Sequence, residues 1–400
     1  RDSSTSRGLG DVYKRQVSLS FLNFTHMSAI FIKEVKSDNE LMEFIRFPMD
    51  LYKNNKNFVP SLITDEKQIW NKKENPALQY SEARQFLAYK NGKIAGRIAV
   101  IINKKEEAEL GIRKVRFGWI DFIDDGEVSK ALIETAVNFA KENNISKIEG
   151  PMGFTNLDKA GMLVHGFDEI ATMIGIYNFD YYPTHLENLG LTKEKEWVEY
   201  EIKFPEVLPE KVIKFNELVK EKYRLKVLNF RTKNEILPYI DPMFRLLDET
   251  YKNLSTYTPI TEEQIKTYKE KYFPFINKDY IICIVDEQNN LISFAITMPS
   301  YSRALQKSNG KLFPFGWWYF LQAGKKNDRA NFYLIGIHPE YQRRGVTSII
   351  FKEIFGRFRK KGVKHLETNP ELEENKAIQL LWQDYNPVNH KRRRTYSMEF

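Results

Sequence analysis

A short basic loop between a predicted strand and a predicted helix holds the residues of this chain that are best suited to bind an anion. The loop, residues 342–347 with the sequence QRRGVT, follows the apolar run 331–337 and precedes the amphipathic stretch 348–358. The first turn of a helix has backbone N–H groups without partners and carries a partial positive charge. Gly345 allows the backbone to approach a ligand closely, and the two arginines add charge. The loop therefore predicts a binding site for a pyrophosphate.

The spacing of this loop resembles the acyl-CoA-binding signature of the GNAT N-acyltransferase superfamily. That signature is an apolar strand followed by V-x-P-x-x-Q/R-x-x-G-x-G/A at the start of a helix. Here the matching residues are Ile337, Pro339, Gln342 and Gly345, whereas Thr347 replaces the usual Gly or Ala. An accidental glycine in a βα turn is the alternative interpretation. The residues to which the resemblance assigns cofactor binding are Ile337, His338, Gln342, Arg343, Arg344, Gly345, Val346 and Thr347.

The resemblance implies that a primary amine attacks a thioester directly. A base must then take a proton from the amine, and an acid must protonate the leaving thiolate. Residues 374–385 are similar to the superfamily helix N-x-x-A-x-x-L-Y, but Leu381 or Trp382 stands in the place of the usual tyrosine. Tyr385, one turn later, is the candidate acid. A packing role for Tyr385 and protonation of the thiolate by water are the alternatives.

Four further polar residues are candidates for the base or for positioning the amine. Glu373, Glu374 and His390 are possible bases, and Asn375 is placed to orient the acceptor. Charge at a helix N-terminus would explain either glutamate, and capping would explain Asn375. His390 precedes the basic run 391–394 and is predicted to lie at the surface. The predicted catalytic set is therefore Glu374, Asn375 and Tyr385.

Two successive units of predicted elements position these residues. In the first unit we predict strands at 30–35, 85–89, 93–102, 115–123, 146–149 and 196–204, and helices at 38–53, 127–142 and 181–189. In the second unit we predict helices from 211 and at 234–251, 261–272, 348–358 and 373–384, and strands at 225–230, 280–286, 291–298, 331–337, 365–368 and 395–400. This order resembles a tandem GNAT arrangement. It implies a mixed α/β (α+β) fold of two domains, 27–205 and 206–400, each a twisted, mostly antiparallel sheet flanked by helices.

The first unit differs from the second at the matching loop. Its residues 124–127, Asp-Asp-Gly-Glu, place carboxylates at a predicted helix N-terminus. These carboxylates satisfy the helix dipole and would repel a pyrophosphate. We therefore predict that the second unit binds CoA, and that the first unit shapes the acceptor side or supports the second.

An aromatic segment, residues 302–326, lies between two strands of the second unit. Its apolar residues are Leu312, Phe313, Phe315, Trp317, Trp318, Phe320 and Leu321. Lys307, Lys311, Lys325 and Lys326 flank them. Aromatic residues with lysine flanks favour a membrane interface. A plug between the two domains and base stacking on nucleic acid are the alternatives.

A Gly-rich loop at 150–168 and the motif at 312–317 resemble one group of tandem GNAT-like proteins that includes bacterial ceramide synthases. Those enzymes join a fatty acyl-CoA to a sphingoid amine. The resemblance implies an N-acyltransferase that uses acyl-CoA or acetyl-CoA and a small-molecule or lipid-like amine. An inactive acyl-CoA-binding scaffold and an aminoacyl-tRNA-dependent transferase are the alternatives. The retained pyrophosphate site argues against nucleic acid as the partner.

Composition limits the ligands, the cellular location and the cofactors that we expect for this chain. The net charge of +8 suits anionic CoA, an anionic membrane surface or nucleic acid. The sequence has no apolar run of about 18 residues, so we predict no membrane-spanning helix. The single cysteine, Cys283, lies in an apolar run and suits a reducing, cytoplasmic location. The six histidines have no metal-ligand spacing, so we predict no metal.

Residues 1–26 differ in character from the rest of the chain and are predicted to be a non-native or disordered leader. A signal peptide is the alternative, because the short apolar run 17–24 follows basic residues. That run is interrupted by polar residues and lacks a small-residue cleavage site. Met27 is the predicted native start.

Overall fold

The computed structural model describes residues 30–155, 157–204, 207–208, 210–251, 259–273 and 276–400. The predicted leader at 1–26 and the predicted start at Met27 lie outside the described residues. Residues 205 and 206, where we placed the domain boundary, also lie outside them, so the boundary stays a prediction.

The described residues form strands and helices that alternate along the chain. The strands are β1 (Phe31–Glu34), β2 (Ser81–Lys90), β3 (Lys93–Asn103), β4 (Val115–Phe122), β5 (Lys147–Gly150), β6 (Met162–His165), β7 (Thr192–Lys203), β8 (Lys226–Val227), β9 (Ile281–Val285), β10 (Leu291–Pro299), β11 (Arg329–Ile337), β12 (His365–Glu367), β13 (Glu371–Leu372) and β14 (Val388–Glu399). The helices are α1 (Asp38–Leu51), α2 (Ile63–Ile69), α3 (Lys104–Leu110), α4 (Gly126–Glu142), α5 (Tyr181–Asn188), α6 (Glu210–Tyr223), α7 (Leu237–Tyr251), α8 (Glu262–Tyr272), α9 (Ser302–Ser308), α10 (Gly316–Lys325), α11 (Val346–Lys361) and α12 (Lys376–Gln379).

One continuous sheet runs through both units. Its strand order is β1-β2-β3-β4-β5-β14-β7-β12-β11-β10-β9-β8, with β13 paired to β7 and β6 paired to β14. The pairs β4–β5 and β11–β12 are parallel, and the other described pairs are antiparallel. The predicted mixed α/β fold with mostly antiparallel sheets flanked by helices is therefore confirmed.

The last strand of the chain lies at the centre of this sheet. β14 pairs with β5 on one side and with β7 on the other, so it joins the sheets of the two units. We predicted only its end, at 395–400, because residues 390–394 are charged instead of apolar. Their charges are matched: Lys391 and Arg393 are fully buried and form ion pairs with Glu367 and Glu199. The prediction that His390 lies at the surface is wrong, since this residue is 8% exposed.

Helices cover both faces of the sheet in the second unit. α11 packs its buried side chains against one face of β9 and β10, which Ile282, Ile284 and Ile292 form. α7 packs against the opposite face, formed by Ile281, Cys283 and Phe294. The alternation along β9 follows from the two-residue period of a strand. Burial raises the pKa of the Cys283 thiol to about 12, so this thiol is not a nucleophile at neutral pH.

The aromatic segment 302–326 forms α9 and α10 and packs on the first unit. The side chains of Leu312, Tyr319 and Phe320 contact the core of that unit. The carbonyl of Gly310 accepts a hydrogen bond of 2.9 Å from the N–H of Ile63. The remaining apolar side chains face outward and are 45–78% exposed; they are Phe313 78%, Phe315 69%, Trp317 45%, Trp318 50% and Leu321 50%. The segment thus has a buried face and an exposed aromatic face.

The predicted helix at 373–384 is broken in the structure. It is replaced by a turn after β13, by the short helix α12 and by a 3₁₀ turn at Gln383–Tyr385. Tertiary packing explains the difference, because Trp382 is 1% exposed and its ring lies between those of Phe332 and Phe351. Among the described residues, no helix has the length and apolar character needed to cross a bilayer, and no cluster of His, Cys, Asp and Glu is arranged to hold a metal.

Candidate acyl-CoA site

The predicted pyrophosphate loop lies at the N-terminus of α11, directly after β11. Gly345 is the N-cap residue and has a φ of 82°, in the left-handed region that favours glycine. No described side chain caps this helix. In the loop, the N–H groups of Tyr341 and Arg344 bond to the carbonyls of His338 and Tyr341, at 2.8 and 3.3 Å. In the first turn of α11, the N–H of Ser348 bonds to the Gly345 carbonyl at 3.0 Å. A helix N-terminus without a side-chain cap is the kind of site that binds an anion.

The side chains of the loop are arranged around this N-terminus. Gln342, Arg343 and Arg344 are exposed, whereas Val346 is buried and anchors the helix in the core. The Arg344 guanidinium lies 5.5 Å from the centre of the Tyr223 ring. The structure thus places the predicted binding residues in one continuous connection, from the end of β11 to the first turn of α11. Their binding of CoA stays a prediction.

Gly345 is also required by packing. A Cβ atom at this position would lie 2.6 Å from the ring of Phe215 and 3.1 Å from Val219, both on α6. Any larger residue would therefore meet α6 and would also occupy an unfavourable φ. This glycine is not an accident of the turn.

The matching loop of the first unit is closed by its own carboxylate. Asp125 caps α4 by accepting hydrogen bonds from the N–H groups of Glu127 and Val128, at 3.0 and 3.2 Å. Asp125 also pairs with Lys90, and Asp124 lies 2.9 Å from the ring of His185. The end of α4 is therefore satisfied internally, as its sequence predicts.

Two parallel strands separate next to the pyrophosphate loop. β11 and β12 pair only from Arg329–Asn331 to His365–Glu367 and diverge after that. A β-bulge at Tyr333 shifts the register between β11 and β10 at the same level. The side chain of Asn369 donates a hydrogen bond to the Tyr333 carbonyl across the gap. Bulges often lie beside active sites, where they redirect side chains.

The gap between the strands opens into a cavity of about 630 Å³ that both units line. Its lining near the gap comprises Phe332, Tyr333, Leu334, Ile335, Asn369, Pro370, Glu371 and Leu372. From there the cavity extends under α7 in one direction and towards α1, α2 and β4 in the other. A volume of this size falls within the range of about 300–1,000 Å³ that is typical of small-molecule sites.

Glu371 is the carboxyl group that faces this cavity beside the gap. One of its oxygens accepts a hydrogen bond of 2.7 Å from Trp382 Nε1, and the other has no hydrogen-bond partner among the described residues. Burial raises the pKa of Glu371 to about 8. Burial also raises the pKa of Tyr251, another lining residue, to about 12, and the charge of Glu371 adds to that rise. A buried titratable pair in a cavity is typical of catalytic sites.

The three residues that we predicted to be catalytic occupy different places. Asn375 lines the cavity, and its side chain makes no capping bond to α12. Glu374 is exposed in the turn before α12. The ring of Tyr385 lies 5.0 Å from that of Phe351, and Tyr385 is not among the described lining residues. Their catalytic roles stay predictions.

The two other candidate bases, Glu373 and His390, lie next to groups of opposite charge. Glu373 accepts a bond of 2.8 Å from Lys193 and pairs with Arg392, and the bond from Lys193 lowers the pKa of Glu373. His390 is buried with its Nε2 atom 3.3 Å from Glu367. Sequence reasoning missed Glu371. The available signal was its place just beyond the end of β12, since loops after parallel strands often carry site residues.

Two known proteins are similar to this chain over nearly its full length. No family model matches the chain. It is 25% identical to Protein YghO of Escherichia coli K12 over 377 residues, 92% of this chain and 95% of that protein. It is 23% identical to Bacterial ceramide synthase of Caulobacter vibrioides over 371 residues, 90% of this chain and 95% of that protein.

Two solved structures superpose on nearly the whole chain. A tandem GNAT protein from the clavulanic acid biosynthesis pathway matches with a TM-score of 0.53 and 10% identity, over 93% of this chain and 98% of that one. The chain has the tandem GNAT fold. The glucosamine N-acetyltransferase region of a fungal multi-domain β-N-acetylglucosaminidase matches this chain with a TM-score of 0.55 and 12% identity. That match covers 93% of this chain but only 38% of the fungal one.

Proposed function

We propose that this tandem GNAT chain is an acyl-CoA-dependent N-acyltransferase whose second unit binds CoA. One observation carries the proposal: β11, which leads into the uncapped N-terminus of α11, separates from β12 beside a cavity that the buried carboxyl of Glu371 lines. The pyrophosphate would lie at Gly345, and the thioester would lie in the gap between the strands. The closed N-terminus of α4 supports the assignment to the second unit.

The residues at the gap support a direct transfer. The Glu371 carboxylate takes a proton from the ammonium group of the acceptor. The free amine attacks the thioester carbonyl and the C–N bond forms. As the C–S bond breaks, the thiolate leaves with the electron pair and the nitrogen releases its second proton to water. A carboxyl group with a pKa of about 8 is a stronger base than an ordinary glutamate, because desolvation disfavours its ionised form. Water or a tyrosine then protonates the thiolate.

The acid that protonates the thiolate should not be Tyr385 alone. Tyr385→Phe should change turnover by less than about tenfold, because this ring packs on Phe351 and a solvated thiolate can take its proton from water. The measurement is steady-state thiol release. Tyr251→Phe is the companion variant, since Tyr251 lines the cavity. A loss of about 100-fold or more in Tyr385→Phe, with CoA affinity intact, would refute the prediction.

We further propose that the acceptor is a lipid-like amine presented at a membrane surface. The exposed aromatic face of 302–326 is one support, and the exposed Lys307, Lys311, Lys325 and Lys326 around it complement anionic lipid. The segment also adjoins the cavity, because Leu305 of α9 and Ser61, whose carbonyl is next to Gly310, both line it. The name of the ceramide synthase relative is a second support.

Replacing Trp317 and Trp318 by Ser should weaken binding to anionic vesicles by at least about tenfold. Both side chains are about half exposed, so the variant should fold, and burying one aromatic side chain in lipid contributes on the order of 1.5–3 kcal/mol. Sedimentation with phosphatidylglycerol vesicles at low and high salt measures the effect. Leu218→Ser is the matched control, since Leu218 is 63% exposed but lies on α6. Equal sedimentation of both variants and wild type would point to a soluble amine instead.

The charges of β14 argue against the aminoacyl-tRNA-dependent alternative. That alternative needs the basic run 391–394 to face RNA. Lys391 and Arg393 are instead buried on carboxylates, and Arg392 and Arg394 pair with Glu196. Little of this positive charge remains for a phosphate backbone.

A further inference from the structure

The cavity has two ends of opposite chemistry. The end under α7 is apolar, and its lining comprises Ile236, Ile240, Met243, Phe244, Leu247, Phe273, Ile276, Ile281, Phe294, Ile296 and Leu334. The end towards the first unit carries charges, and its charged lining comprises Asp65, Glu66, Arg97, Lys114, Arg116, Asp121, Asp158, Lys159 and Lys195. The gap between β11 and β12, with Glu371, lies between them.

The apolar end is buried on one side. Ile236, Leu247, Ile281 and Phe294 line it and are at most 1% exposed, so it does not open to solvent on their side. The charged side chain in its described lining is Lys269, which forms an ion pair with Asp241. A buried apolar lining favours apolar ligands.

The charged end suits a polar group better than a hydrocarbon chain. Arg97 pairs with Asp121 at 2.7 Å, and Lys114 with Glu149 at 2.8 Å, inside the first unit. Apolar side chains, among them Ile120 and Met173, line this end beside the charges, whereas the lining under α7 is almost wholly apolar. The polar head of an amine acceptor therefore suits the charged end, and an acyl chain that leaves the gap is better accommodated under α7.

We propose that the apolar end under α7 binds the acyl chain of a long, unbranched acyl-CoA and that its buried wall limits the chain length. This inference rests on the proposed function and names its donor substrate. Leu334, on the α7 face of β11, leads from the gap into this end, and Met243, at mid-length of α7, lines it. Each further methylene buried there should tighten binding by about fourfold until the end is full.

A chain-length series of ligands tests the proposal on the full chain. The affinities of CoA, acetyl-CoA, octanoyl-CoA and palmitoyl-CoA are measured by calorimetry, below the concentrations at which they form micelles. For the wild type, we expect affinity to rise from acetyl-CoA to palmitoyl-CoA by at least about 100-fold. Met243→Trp should lower palmitoyl-CoA affinity by at least about tenfold and leave acetyl-CoA within about twofold.

A control variant and a milder variant keep this result interpretable. Leu237→Trp places the same ring on α7 at a position that is 44% exposed, and it should leave the whole series unchanged. If Met243→Trp lowers the melting temperature too far to be measured, Met243→Phe adds less volume and should shift the series in the same direction.

Two outcomes would overturn the proposal, and they differ. If CoA binds but affinity does not rise with chain length, or if it rises equally in wild type and in Met243→Trp, the acyl chain lies elsewhere and the acyltransferase assignment stands. If neither CoA nor any acyl-CoA binds the wild type, the proposed function fails together with this inference.

Discussion

Gly345→Asp should abolish CoA binding, with a loss of affinity of at least about 1,000-fold. The new carboxylate would add negative charge beside the uncapped end of α11, where the pyrophosphate is expected, and would repel it. The new Cβ would also press on Phe215, at a residue whose φ of 82° favours glycine. Calorimetry with CoA measures the loss, and a melting curve shows whether the variant is folded.

Two control variants help to interpret this loss of affinity. One separates the effect of the carboxylate from the effect of backbone strain, and the other tests which of the two units binds CoA. Gly345→Ala introduces the Cβ without the carboxylate, so it should bind CoA better than Gly345→Asp does. Gly126→Asp adds a carboxylate at the N-terminus of α4, where a Cβ meets nothing within 4 Å. This variant should bind CoA like the wild type. If Gly126→Asp lost CoA and Gly345→Asp kept it, the first unit would be the binding unit.

The order of strand, turn, loop and helix around Gly345 could be predicted because neighbouring residues determine it. Strand, turn, loop and helix follow one another within residues 331–358, and each is specified by neighbours in sequence. The capped end of α4 was predictable for the same reason, since Asp125 satisfies N–H groups only two and three residues away.

Glu371 could not be singled out, because its property depends on distant residues. Three glutamates stand within four residues, and the sequence treats them alike. Pairing of β13 with β7 and packing of Trp382 bury Glu371 at the cavity. Lys193 and Arg392 hold Glu373, and Glu374 remains in solvent. The fold therefore gives three identical side chains three different environments.

The first half of β14 could not be predicted from the sequence for a related reason. Its residues 390–394 are almost all charged, and strand prediction relies on apolar alternation. Side chains along β14 do alternate between the two faces of the sheet, but charged residues occupy both faces. Lys391 and Arg393 point to one face, and Arg392 and Arg394 point to the other. The carboxylates that make burial tolerable lie on β7 and β12, far away in sequence.

Glu371→Gln should lower turnover by at least about 100-fold while leaving CoA affinity within about twofold. Glutamine keeps the size of the side chain and the oxygen that accepts from Trp382, but it cannot take a proton from the amine. Because the pKa of Glu371 is about 8, wild-type turnover should rise with pH through about 8 and then level off. The Glu371→Gln variant should lack this rise.

Glu374→Gln is the matched control for this prediction. If Glu374→Gln were inactive and Glu371→Gln active, the base would be Glu374.

At high pH, Glu371→Gln should lose activity without losing stability. Measuring both properties therefore distinguishes the loss of a catalytic base from damage to the fold. The pKa of Glu371 is raised from 4.5 to about 8, so the folded protein holds a proton that the unfolded chain releases above about 4.5. The stabilisation is complete below about pH 4.5, and the free energy of unfolding falls as the pH rises towards 8. A neutral glutamine escapes that loss. At pH 9, Glu371→Gln should therefore be at least as stable to urea as the wild type and yet inactive. A variant that is both inactive and clearly less stable at pH 9 would show that Glu371 is needed for packing around Trp382, and the catalytic base would have to be sought elsewhere in the cavity.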